Sequence, residues 1–245
     1  MTSRGRHLLV AETVRGGADM RPCLLLGFLL TFVVCACSER ATRPSQALEG
    51  RREVLIETLE RAAKEGDAQS QFELATQYDF GSDDTPKDPD KAVMWYRKAA
   101  EQNHPSALHN LGTMYRDGIG VPVDVETAAY LLGRAAEQDH PAAMHSLGWM
   151  FFEGAGVARD DVAAMALWRR AAQRGNASAM NAMGHALLYR NRERVESLAW
   201  FRLAAKYGDS LAPQNAINLQ KSLTADEIAE VDKLQAQIEA TFGPK

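Results

Sequence analysis

The chain is 245 residues long, enough for one or two ordinary domains or one elongated array. With 46% apolar and 24% charged residues it can bury a core, which excludes disorder by composition. A formal net charge of −4 leaves no electrostatic footprint for nucleic acid, so no nucleic-acid partner is expected. The three cysteines, Cys23, Cys35 and Cys37, all precede residue 38. Disulfide frameworks, thiolate metal sites and cysteine nucleophiles are therefore excluded from the body of the chain.

Residues 23–34, CLLLGFLLTFVV, form an apolar run too short to span a bilayer comfortably, where about 20 residues are needed. Its length suits the core of a secretory signal, and Arg21 supplies positive charge ahead of it. Met20 opens a compact signal, whereas Met1 gives a long leader of mixed charge, so Met20 is the expected translation start. The run ends in Val34-Cys35-Ala36-Cys37, which resembles a bacterial lipobox. That resemblance implies cleavage before Cys37 and a diacylglycerol on its sulfur, with ordinary cleavage nearby or an uncleaved anchor as the alternatives. Ser38 in place of an aspartate after the cysteine implies the outer membrane within the same pattern. Residues 1–37 are thus read as the signal, and the polar residues 38–51 as a tether.

The body repeats. DAQSQFELATQYDFG, HPSALHNLGTMYRDG, HPAAMHSLGWMFFEG and NASAMNAMGHALLYR align so that Leu74, Leu111, Leu147 and Met183 fall 37, 36 and 36 residues apart. A second block follows each in register, and its alanines Ala99, Ala135, Ala171 and Ala204 are 36, 36 and 33 apart. The last interval shortens near Asn191. An earlier copy of the second block, LERAAKEG, precedes the first repeat.

Both blocks carry helical periodicity. Ala107, Leu111, Met114 and Tyr115 share one face at i, i+4, i+7 and i+8. Gly81, Gly118 and Gly154 stand where a left-handed C-cap ends a helix, and Asp88, Asp124 and Asp160 where an N-cap begins the next. Gly112, Gly148 and Gly184 remove a side chain where a neighbouring backbone is expected to approach. Near the C-terminus, Thr224 and Glu227 have capping-box spacing and open a final helix. A hairpin of about 36 residues cannot bury its apolar face alone, so the copies must stack. The expected fold is all-α, a right-handed αα-hairpin solenoid of about four repeats over residues 52–221, closed by a capping helix over 222–243.

The pattern A-x-x-x-L-G-x-M-Y-x-x-G-x-G-V-P-x-D at Ala107–Asp124, with W-x-x-A-A closing the second helices, resembles the Sel1-like repeat family. This is a relative of the tetratricopeptide repeat, whose 34-residue period fits less well. The fourth copy departs from it: Arg190 replaces the glycine and Glu193 the capping aspartate. The resemblance implies adaptor roles in assembling protein complexes. Cysteine-rich relatives further imply binding or hydrolysis of β-lactams, against which stands the absence of cysteine from these repeats.

No HExxH, GxSxG, SxxK or Walker loop is present, so no catalytic residue and no cofactor are expected. The GxG at Gly118–Gly120 lies between helices with no strand before it and reads as capping. The histidines His104, His109, His140, His145 and His185 recur in register, which duplication explains without a metal. With the core direction set by Ala107, Leu111 and Tyr115, His109 points the opposite way, flanked by Thr113 and Arg116. The equivalent residues are His145, Trp149 and Phe152 in the third repeat, and Asn181, His185 and Leu188 in the fourth. Aromatic residues clustered on an outward face have two explanations: superhelical curvature buries them, or they bind a partner. His109, His145, Trp149, Phe152 and His185 are the candidate partner-binding residues. The expected function is a non-catalytic interaction scaffold, lipid-anchored in the bacterial envelope. A peptidoglycan-binding module using the same face, and a β-lactam-directed envelope enzyme, are the alternatives.

Overall fold

The repeating local signals each close one backbone end, and together they produce eleven helices with no strand among the described residues. The structure, a computed structural model, describes residues 56–82, 85–190 and 193–242. All of them belong to one compact unit, Glu49–Lys245. The signal, Cys37 and the tether lie outside the described residues. Helix α1 is described over residues 56–65. The first helices of the four repeats are α2 (Ala68–Phe80), α4 (Pro105–Asp117), α6 (Pro141–Glu153) and α8 (Ala177–Arg190). Their partners are α3 (Pro89–Glu101), α5 (Val125–Glu137), α7 (Asp161–Gln173) and α9 (Arg194–Lys206). Two further helices follow, α10 (Ala212–Gln220) and α11 (Ala225–Phe242).

Each first helix packs on its own second helix, each second helix packs on the first helix of the next repeat, and α10 and α11 both close over α9. The fold is therefore an αα-hairpin solenoid with a helical cap. Its core is a continuous ladder of small and large residues. Ala99, Ala135, Ala171 and Ala204 are fully buried, as are Trp168 and Trp200, while Leu74, Leu111, Leu147 and Met183 lie on the same ladder.

The corner between repeats is built twice over by one residue. The backbone N–H of His104 donates to the Ala99 carbonyl, and His140, Asn176 and Asp209 repeat this toward Ala135, Ala171 and Ala204 at 3.0–3.2 Å. These bonds close the preceding helix in a Schellman-like turn. The same residues then cap the following helix: His104 Nδ1 accepts from Ala107 N at 3.3 Å, and His140 Nδ1 from Ala143 N at 3.2 Å. Asn176 and Asp209 do likewise with side-chain oxygens. The residue ahead of each corner has positive φ, including the non-glycine residues Asn103 (60°) and Asp139 (58°). Arginines from the next second helix tie these down: Arg134 donates to Asn103 Oδ1, and Arg170 to Asp139 Oδ1 at 2.8 Å.

Within each repeat, Asp88, Asp124 and Asp160 accept from the N–H three residues on, as N-caps. Their own N–H groups clip back to the Tyr78, Tyr115 and Phe151 carbonyls. Glu193 makes no such side-chain cap, consistent with the shortened fourth loop. Thr224 and Glu227 form the reciprocal capping box at the start of α11. The two glycines of each GxG divide the work. Gly118 takes the left-handed conformation (φ 71°) that ends α4, while a Cβ at Gly120 would sit 2.6 Å from the Pro89 carbonyl oxygen of the preceding repeat.

One expectation is corrected here. Gly148 and Gly184 make room for large side chains of their own partner helices, more than for a backbone: a Cβ would come within 2.7 Å of the Trp168 indole and of the Phe201 ring, respectively. Only at Gly112 is a carbonyl, that of Ala128, also among the nearest atoms. The physical reason is that Trp168 and Phe201 are fully buried against the first helix, and such close packing leaves no room for a Cβ there.

Candidate interaction groove

Trp168 sets the site from below. Its indole Nε1 donates to the His145 carbonyl at 3.0 Å, and its ring supports Trp149 at 5.1 Å, edge to face. Phe152 stands perpendicular to Trp149 (5.6 Å, 88°), as residues three apart on one helical face can. Tyr189, from α8, lies 6.3 Å from Phe152. Trp149 and Phe152 are only half-buried by this packing, which leaves their outer side accessible in part.

That open side faces a groove of about 500 Å³ between α6, α8 and the turn into α10. Trp149, Phe152, Tyr189 and Leu211 give it apolar walls, with His145, Asn181, His185 and Asp209 among its polar groups. Tyr189 and Leu211 are 75% and 67% exposed, which is unusual for residues of that size and marks them as the rim. A groove of this volume is within the range that holds one or two side chains of a partner.

Of the sequence-derived candidates, His145, Trp149, Phe152 and His185 come together here. His109 does not. It lies one repeat earlier beside His140, with ring centres 5.2 Å apart, and its Nδ1 is bonded to Asn110 Oδ1. Leu188, expected outward in the fourth repeat, instead lines a separate cavity with Phe201 and Leu219. Tyr189, four residues after His185 where Phe152 is three after Trp149, takes the groove position. Asp209 and Leu211 come from the corner after α9, beyond the reach of any single-helix wheel. Their only signal is the sequence DSLAP following the fourth repeat, with an aspartate three residues before the start of α10 whose side chain accepts from the Ala212 N–H.

The histidines are neutral acceptors. His145 Nε2 accepts from Trp149 Nε1 at 3.1 Å, and His185 Nε2 from the Asn215 amide at 3.1 Å. Burial holds His145 down at about 4; the Asp209 carboxylate opposes that shift, and His109 and Arg116 add to it. Burial also lowers His185, again against Asp209. Asp209 Oδ1 accepts from the Leu211 and Ala212 N–H groups at 3.0 and 2.9 Å, and no lysine or arginine among the described residues pairs with it. No group of three or more histidines, cysteines or carboxylates among the described residues could hold a metal ion.

The repeat boundaries coincide with known units. A family model for the Sel1 repeat matches residues 68–104, 105–140, 141–176 and 177–209, each running from the start of a first helix to the next corner. A protective antigen of uropathogenic Escherichia coli with an SLR fold superposes with a TM-score of 0.71 at 29% identity, over 77% of this chain and 41% of that one. A Sel1 repeat protein from Oxalobacter formigenes gives 0.56 at 32% identity, over 67% and 48%. The chain therefore spans less than half the length of either. An immunity protein from Pseudomonas aeruginosa shares the fold at 20% identity, with a TM-score of 0.50 over 76% and 73%. Comparison with curated proteins found no match. With four matched units covering more than half its residues, the chain belongs to the Sel1 repeat family, whose members generally mediate protein–protein interaction.

Proposed function

We propose that the protein is a non-catalytic interaction scaffold of the bacterial cell envelope, held to the membrane through a lipid on Cys37. The groove beneath Tyr189 and Leu211 carries the interaction part of this reading. It is a concave, largely apolar surface built by side chains that depart from the repeat consensus, on a scaffold whose recurring positions pack the units together. Rigid corners keep it preformed, so a partner segment docks without ordering the scaffold first. The lipobox-like VCAC sequence and Ser38 support the anchor and an outer-membrane address facing the periplasm. No helix among the described residues is long and apolar enough to cross a membrane, so attachment in this reading falls to the N-terminus.

The test uses the full chain with its native leader, crosslinked in bacterial cells before lysis. Mass spectrometry reads both the N-terminal peptide and the captured proteins. A diacylated Cys37, with captures lost in a folded Tyr189→Ser/Leu211→Ser variant, is the expected outcome. An unmodified start removes the anchor, and identical captures from both proteins remove the groove. Aromatic walls also suit sugar rings, so co-sedimentation with purified sacculi separates a peptidoglycan-binding module from a protein scaffold.

A further inference from the structure

The groove has a definite charge. Among its lining residues Asp209 is the one carboxylate, no lysine or arginine is present, and burial disfavours the charged form of His145 and His185. The carboxylate is held where α10 begins, because its Oδ1 accepts from the Leu211 and Ala212 N–H groups, and no lysine or arginine among the described residues pairs with it. The aromatic side chains of Trp149, Phe152 and Tyr189 line the same groove. Nearby positive charge is already engaged. Arg116 is bonded through two nitrogens to Asp117, at 2.7 and 2.8 Å, and Arg159, whose guanidinium lies 5.9 Å from the Phe152 ring, is 3.6 Å from Asp161. The Arg159 contact shows that this aromatic wall accepts a guanidinium at one of its rings.

From this combination we infer that the groove captures a lysine or arginine side chain of the partner segment, its alkyl stem against Trp149 and Leu211 and its charged head at Asp209. The inference rests on the reading of the groove as a docking surface and deepens it. Aromatic rings attract cations through their quadrupole, and they shed little hydration when an alkyl stem covers them. The carboxylate adds a charge-assisted hydrogen bond. An anionic side chain in the same place would meet Asp209 with no compensating cation among the lining residues, so charge complementarity selects one sign.

Asparagine keeps a side-chain carbonyl oxygen that can accept from the Leu211 and Ala212 N–H groups, so Asp209→Asn removes the charge and keeps those two bonds. The indole N–H signals of the full 15N-labelled chain are followed while acetyl-Leu-Lys-Leu-amide is titrated in, then the Leu-Gln-Leu and Leu-Glu-Leu analogues. The lysine peptide should shift the Trp149 signal and bind about tenfold more tightly than the glutamine peptide, the size of one well-placed charge contact. In Asp209→Asn that preference should vanish while the Trp95 and Trp200 signals stay unmoved. Equal binding of the lysine and glutamine peptides to the wild type overturns the charge selection and leaves the docking surface standing. Tighter binding of the glutamate peptide, or no shift from any of the three, overturns the inference. The crosslinking test above decides the docking surface separately.

Discussion

The first helices of the second and third repeats occupy the same place in the solenoid and have opposite surfaces. Both begin at a histidine N-cap followed by proline, both carry a glycine eight residues after that cap, and both end at a left-handed glycine. Where α4 has Thr113 and Arg116, α6 has Trp149 and Phe152. Thr113 bonds to the Asn110 carbonyl and Arg116 to Asp117, so α4 satisfies its own surface. Trp149 and Phe152 instead line the groove. The lesson is a division of labour: positions that repeat hold the array together, and positions that break the repeat make the site. Each of the following changes is aimed at one side of that division.

The largest effect is expected at Trp168, where the two sides meet. Trp168→Ala removes a fully buried indole, its bond to the His145 carbonyl and the floor under Trp149, and should cost about 3–5 kcal/mol in urea unfolding. Tyr189→Ser, on the exposed rim, should change stability by no more than about 0.5 kcal/mol. Comparable losses at both sites would abolish the distinction between scaffold and groove.

Two glycines sharpen it further. Gly148→Ala drives a Cβ into the Trp168 ring and should destabilise by about 1–3 kcal/mol. Gly133→Ala, in α5, meets no atom within 4 Å and should stabilise by about 0.5–1 kcal/mol through reduced unfolded-state freedom. A pair of opposite sign is the expected reading of the two melting curves.

Acid should weaken the array. His104, His109, His140, His145 and His185 are all held below the ordinary histidine value, chiefly by burial. The unfolded chain therefore binds more protons as pH falls below about 6.5, and stability declines from there down to each folded value. His145 alone, at about 4 in the fold, should cost about 2 kcal/mol between pH 6.5 and 5, with Asp209 opposing and Arg116 and His109 reinforcing its shift. Urea midpoints measured across that interval should fall steadily, and a His145→Gln variant should show a shallower slope. Asp160→Ala, which loses one N-cap bond, should cost about 1 kcal/mol in the same urea curves.

Most of the scaffold was legible in the sequence because each signal answers a local backbone requirement. A glycine ends a helix, an aspartate three residues before an N–H starts one, and a 36-residue recurrence states that the units stack. Thr224 and Glu227 were readable for the same reason. Helix α10 was not, because it is only nine residues long and Pro213 stands in its first turn. The groove was half legible. A helical wheel places Trp149 and Phe152 outward, since they share one helix. It cannot place Asp209 or Leu211, which reach the site through the corner after α9, nor choose Tyr189 over Leu188 when both i+3 and i+4 face the same side. His109 lies one repeat before the groove, because repeat register locates a residue within its unit, while the aromatic wall is built by the third and fourth units.

The most direct test of the central claim compares two exposed tyrosines of this chain. A photo-crosslinking amino acid is placed at Tyr189, on the groove rim, or at Tyr130, 64% exposed on α5, and irradiated in living cells. The account expects one discrete protein adduct from position 189, suppressed by Leu211→Ser, and none of that mass from position 130. The same adducts from both positions, or an adduct at 130 with none at 189, would contradict it.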